Sequence, residues 1–199
     1  HAAFLAVKIT EADLTGVLVI LAWLLLFLTG AFLSSFYIHK VGRDKVYAYT
    51  LPMMVEILIL LAVAIWGHNY GNTIINHELF PGSLLFAMGI QNAMVSMVSG
   101  SGVRTTDLTG IFTDLGIDLS VLAQTAAGTA GELKKRIYLR MMIIVFFLVG
   151  GIAGGFVYHE LKNAAFLIPA GVLVITIVYD YFRVRWRRKW LHAMRRKNQ

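Results

Sequence analysis

Residues 13–38 read DLTGVLVILAWLLLFLTGAFLSSFYI, and after Asp13 the stretch carries no charge. A hydrocarbon core takes about 20 apolar residues in helical form, so this stretch has the length and character of a transmembrane helix. Three more runs repeat the pattern. Residues 46–67 hold one charge, Glu56; residues 137–158 hold only Arg140; residues 164–182 end beside Asp180. A fifth run, 82–99, is shorter and more polar, with Gln91, Asn92 and Ser96, and breaks at Gly100-Ser101-Gly102. Exposed amides are costly in hydrocarbon, so that run is expected to line an interior rather than face lipid.

Composition agrees. Of 199 residues 58% are hydrophobic and 15% charged, against about 25% charged in an average soluble domain. The expected fold class is an all-α, polytopic membrane helix bundle with five membrane helices in this chain. There is no cysteine, which excludes disulfides, thiolate metal sites and cysteine nucleophiles.

The net charge of +7 is local. Eight Lys and Arg lie between Arg183 and Lys197, whereas residues 1–182 sum to −1. Beside a hydrophobic segment, this 183–199 tail reads as an orientation and anionic-headgroup element, not as a nucleic-acid site. Connections 39–45 and 125–136 and the tail carry fourteen basic residues; the alternate connections carry only Lys8 and Lys162. That asymmetry predicts a cytoplasmic C-terminus.

Residues 27–39 (FLTGAFLSSFYIH) and 147–159 (FLVGGIAGGFVYH) match at a constant offset of 120. Each is followed by a polar loop and a helix with an early proline, Pro52 or Pro169. The reading is a single transmembrane domain over 1–182 built from two inverted three-helix repeats: 82–182, and 1–67 lacking a first helix before His1. Gly30, Ala31, Ser34 and Ser35, and Gly150, Gly151, Gly154 and Gly155, suit close helix contact.

The least membrane-like stretch is 89–118, GIQNAMVSMVSGSGVRTTDLTGIFTDLGID. On one helix, Arg104, Asp107, Asp114 and Asp118 would share an arc of about 80°, with Leu108, Phe112, Leu115 and Leu119 as the adjoining apolar face. One reading is a broken helix opening onto a cavity, with Arg104, Thr105 and Thr106 as ligands. The other is an amphipathic helix at the interface with solvated acids. Glu56, mid-run, is expected to face the bundle interior, as a proton-coupling group, a partner of Arg104, or a packing hydrogen bond. His39 and His159 read as capping or interfacial groups. The candidate pathway residues are Glu56, Gln91, Asn92, Arg104, Thr105, Thr106, Asp107, Thr109 and Asp114; no metal or cofactor is expected.

Gly110, Asp114 and Asp118 spell G-x3-D-x3-D, which resembles the closing half of the CDP-alcohol phosphotransferase signature. In that family such acids hold a divalent metal. The opening Asp-Gly is absent, and Ser101 stands where the family has Arg.

A fuller resemblance joins Gly89-Ile90-Gln91-Asn92-Ala93, Val103 to Gly110 (VRTTDLTG) and Thr113-Asp114-Leu115-Gly116. These segments are similar to the second-half signature of the YoaK family, small bacterial six-helix membrane proteins of unassigned function. Asp107 stands where that family usually has His. His1-Ala2-Ala3-Phe4 resembles the residues just after the Thr-Gly that closes the family's first helix. The resemblance implies six helices, the first before His1, and a multi-pass protein of the bacterial cytoplasmic membrane. It supplies no substrate. The residues themselves favour a small transporter or permease acting as a homodimer; a membrane scaffold and, more remotely, a metal-dependent lipid phosphotransferase are the alternatives.

Overall fold

A computed structural model describes residues 2–43, 45, 47–67, 74–98, 108–124 and 131–197. They form seven α-helices: α1 (Ala2–Thr10), α2 (Leu14–Val41), α3 (Tyr47–Trp66), α4 (Ile74–Val98), α5 (Leu108–Gln124), α6 (Gly131–Leu161) and α7 (Leu167–Lys197). A 3-10 turn, Lys162–Phe166, links the last two. No strand occurs among the described residues.

Among the described residues four apolar runs are long enough to cross a membrane: Leu14–Val41, Tyr47–Trp66, Glu78–Val98 and Gly131–Arg183. The last is 53 residues and is broken by the 3-10 turn, where Lys162 takes a left-handed φ of 50°. It therefore holds all of α6 and the first part of α7, which continues past Arg183 to Lys197. Each full helix is 31 residues, about 46 Å long and ample for a 30 Å core. Large apolar side chains cover the outside, among them Leu14, Phe32, Leu58, Phe146, Phe156 and Ile175. Water would not tolerate such a surface; lipid does. The chain is a multi-pass membrane protein.

The core sits where α2, α3 and α4 meet. Asp13 caps α2 by accepting a hydrogen bond from Gly16 N at 3.0 Å, and α2 stops at Gly42, whose φ of 113° suits only glycine. Arg43 Nη2 then donates to Met97 O at 3.1 Å, tying the α2–α3 turn to the end of α4. Ile38, Ala48, Ile90 and Met94 form the central cluster.

The α2–α4 contact is backbone on backbone. A Cβ at Gly30 would overlap the Phe86 carbonyl oxygen, and one at Gly89 the Phe27 carbonyl oxygen. Farther back along both helices, Gly82 meets Leu26, so the pairs advance together and α2 and α4 run parallel. On α3 the inward stripe is Ala48, Pro52, Glu56, Leu60 and Val63. Leu60 packs on Ala170 and Leu173, while Gly67 faces Asn163. That opposite order makes α7 antiparallel to α3. The C-terminal end of α7 therefore lies at the same end of the bundle as the basic 39–45 turn.

α6 is different. Among the described residues it packs only against α5 and the 3-10 turn. Nothing among the described residues lies within 4 Å of a Cβ built at Gly150, Gly151, Gly154 or Gly155.

Candidate functional site

Glu56 occupies the middle of the inward stripe of α3 and is 5% exposed. It lies nine residues into the helix, about 14 Å at 1.5 Å per residue, which is close to the centre of a 30 Å core. One turn earlier stands Pro52, which cannot donate to the carbonyl a turn before it. The Oε2 atom of Glu56 is enclosed and has no hydrogen-bond partner among the described residues. The same is true of Ser34 Oγ on α2, in a residue 3% exposed. Ile38 and Ala48 meet near the α2–α3 turn. Counting away from it, Ser34 is level with Pro52, and Gly30 with Glu56. The carboxyl is thus at the depth of the glycine crossing between α2 and α4.

Unpaired polar groups at this depth are costly, because no water reaches them to replace a missing bond. A bundle selected only for stability would place an aliphatic side chain at position 56.

The other candidates do not all gather here. Gln91 is on the exposed side of α4, and Asn92, half-buried, has a bonding partner. Arg104, Thr105, Thr106 and Asp107 lie outside the described residues, as do Gly100-Ser101-Gly102 and any pairing of Arg104 with Glu56. Thr109 and Asp114 are on α5. Among the described residues α5 packs only on α6, so these two stand apart from Glu56. His39 Nδ1 donates to Ser35 O at 2.9 Å, a bond within its own helix.

The α5–α6 pair forms a second polar centre. Arg140 Nη2 reaches Asp114 Oδ2 at 3.1 Å, and Arg140 Nη1 donates to Asp114 O at 3.0 Å and to Asp118 Oδ2. Arg136 Nη2 stands 3.4 Å from Asp118 Oδ1. Asp118 is 5% exposed. Ile111, Leu115 and Ile144 close the apolar side of the contact. Since 111 pairs with 144 and 118 with 136, α5 lies antiparallel alongside α6.

Two expectations change. The packed face of α5 is Ile111, Leu115 and Asp118, so of the expected apolar face Leu115 is buried, whereas Phe112 and Leu119 are 50% and 47% exposed. The reason is the guanidinium of Arg140, which lets an acid lie inward. And the two acids on α5 are paired: Arg140 stands between Asp114, which is still largely exposed, and buried Asp118, where a phosphotransferase would hold its metal. Sequence reasoning misses Arg140 and Arg136. The usable signal is that Arg140 is the lone charge in an apolar run and needs an acid near it.

A family model described as a protein of unknown function, DUF1275, matches residues 1–179. The chain belongs to that family. No curated protein and no solved structure matches it.

Proposed function

We propose that this DUF1275 member is a small membrane transporter or permease, with Glu56 on the path and a small anion as the leading substrate class. The observation that carries this reading is the Glu56 carboxyl: mid-core, enclosed, with one oxygen unpartnered among the described residues. An ionisable group at that depth is a functional-site hypothesis by default, and Ser34 supplies a second polar atom on the facing helix. Arg104, by its charge and the small residues before it, is proposed to meet the anion. The chain's kinship with the YoaK proteins, on the second-half motifs, is part of the same proposal, as are the cytoplasmic C-terminus and the bacterial cytoplasmic membrane.

The protein is proposed to act as a homodimer of units built from inverted repeats. Support comes from α6, whose Gly150, Gly151, Gly154 and Gly155 meet nothing among the described residues of their own chain. Two Gly-x-x-x-Gly registers on one face are the pattern of parallel helix association in membranes. The same face would serve a scaffold protein equally, so flux decides between them. Purified protein in liposomes is tested against a panel of labelled small carboxylates and inorganic phosphate. The wild type should carry at least one of them faster than empty liposomes, and Glu56→Gln should not. Equal flux by both proteins above empty liposomes would keep transport and remove Glu56 from the path; flux by neither leaves the scaffold as the better reading.

A further inference from the structure

A third charged cluster lies at the opposite end of the bundle from the α2–α3 turn. Lys8 on α1 is held by Glu11 at 2.9 Å and Asp13 at 3.1 Å. Glu78, at the start of α4's apolar run, brings a third acid to the same place. Its Oε2 atom is enclosed, with no hydrogen-bond partner among the described residues.

These groups border a groove. Its first chamber, about 470 Å³, is walled by Phe4, Lys8, Asp13, Trp23 and Glu78. The second, about 440 Å³, shares Trp23 and Glu78 and continues between α2 and α4 past Leu26, Leu79 and Phe86. Leu26 and Leu79 are exposed on the bundle's outer surface, so this arm opens sideways to lipid.

We propose that this groove binds a single-chain amphiphilic cation, an ammonium group carried on an alkyl chain, with Glu78 as its anchor. Two acids, Asp13 and Glu78, face the chamber against one lysine, and that lysine is already shared by Asp13 and the neighbouring Glu11, so the chambered end is electronegative. A cationic head there pairs by charge with the Glu78 carboxyl, with or without an N–H to donate, and lies beside the indole of Trp23, whose face attracts cations. The alkyl chain fills the apolar arm. An anionic head would meet the carboxyls of Asp13 and Glu78, and a plain hydrocarbon would leave Glu78 unanswered. One apolar arm takes one chain, which favours a single-chain amphiphile over a two-chain phospholipid. The site stands independently of the transport reading, since it uses neither Glu56 nor Arg104.

The test uses the full chain in a nonionic maltoside detergent, titrated calorimetrically with octyltrimethylammonium, octyl sulfate and octanol. Octyltrimethylammonium should bind and octyl sulfate should not. Glu78→Gln should weaken the cation about tenfold while leaving octanol unchanged, and Lys8→Gln should tighten it, because each changes one charge beside the head. Equal binding of cation and sulfate, or no cation binding, overturns the site. So does a cation affinity that Glu78→Gln leaves intact. If Glu78→Gln does not fold, Lys8→Gln decides: an unchanged or weaker cation affinity in that variant overturns the proposal.

Discussion

Helices α2 and α6 share a sequence pattern and differ in what covers it. In α2, Gly30 lets the Phe86 carbonyl approach so closely that any side chain would collide with it. In α6, the matching Gly150 and its neighbours Gly151, Gly154 and Gly155 meet nothing among the described residues. A run of small residues therefore specifies that backbones can approach, not that a partner is present in the same chain. Position 30 has been committed to the fold, whereas position 150 is still available for association.

Substitution separates the two. Gly30→Val or Gly89→Val should have the largest effect, about 3 kcal/mol or more, because the obstacle is backbone and cannot turn aside. Gly150→Val should leave the folded monomer intact and, if α6 is the proposed contact, shift the protein from dimer to monomer. Thermal unfolding and light scattering in detergent read the two outcomes. An equal loss of fold at positions 30 and 150 would break the comparison.

The α5–α6 contact comes next in size. Asp118→Ala removes the buried partner of Arg140, which is itself 22% exposed at its side chain, and should cost about 2 kcal/mol. Asp114→Ala, at an exposed acid, should cost less than about 1 kcal/mol. If the two variants melt alike, Asp118 is not the inward anchor. Were the acids instead a metal site, Mg²⁺ would raise the melting temperature of the wild type and not of Asp118→Ala.

The smallest effect is at the α1–α2 corner. The Asp13 carboxyl is held below its usual value of 3.8, first by the Gly16 N–H and then by the Lys8 ammonium. Lys8 is raised above 10.5, chiefly by its bonds to Glu11 and Asp13. A depressed acid stabilises above its unfolded pKa and loses that support as pH falls through the folded value; a raised lysine loses it as pH rises through its own. The corner should hold between these limits and loosen below pH 3.8 and above pH 10.5. Hydrogen exchange at Gly16 against pH measures it, and the acid-side loss should be absent in Asp13→Asn.

Most of the fold was legible because bilayer length is a strict ruler. The runs starting at 13 and 46 became α2 and α3 within a few residues, and the run at 82 is the later part of α4, which starts eight residues earlier at Ile74. The run at 137 lies within α6, and the run at 164 begins in the 3-10 turn and continues into α7. Glu56 as an interior group was legible too, since a lone acid in an apolar run has few places to go. The α5 face was not. Helical periodicity places Phe112 and Leu119 inward because it scores apolarity on one helix alone. It has no means of knowing that Arg140, twenty-two positions beyond Asp118, neutralises the acids and reverses the preference. Nor does small-residue spacing carry any record of which face is occupied, which is why Gly30 and Gly150 look alike on paper.

The claim that Glu56 lies on a path through the bundle is tested most directly by chemical access. The chain has no cysteine, so single cysteines report without background. Ser34→Cys, Glu56→Cys and Leu58→Cys, the last on the 66%-exposed lipid-facing side of α3, are reconstituted in liposomes. Each is then treated with a membrane-impermeant trimethylammonium methanethiosulfonate. The account predicts modification at positions 34 and 56, reached as the path opens, and none at 58. Cysteines at 34 and 56 that stay as unreactive as the one at 58 would contradict it and leave a sealed bundle.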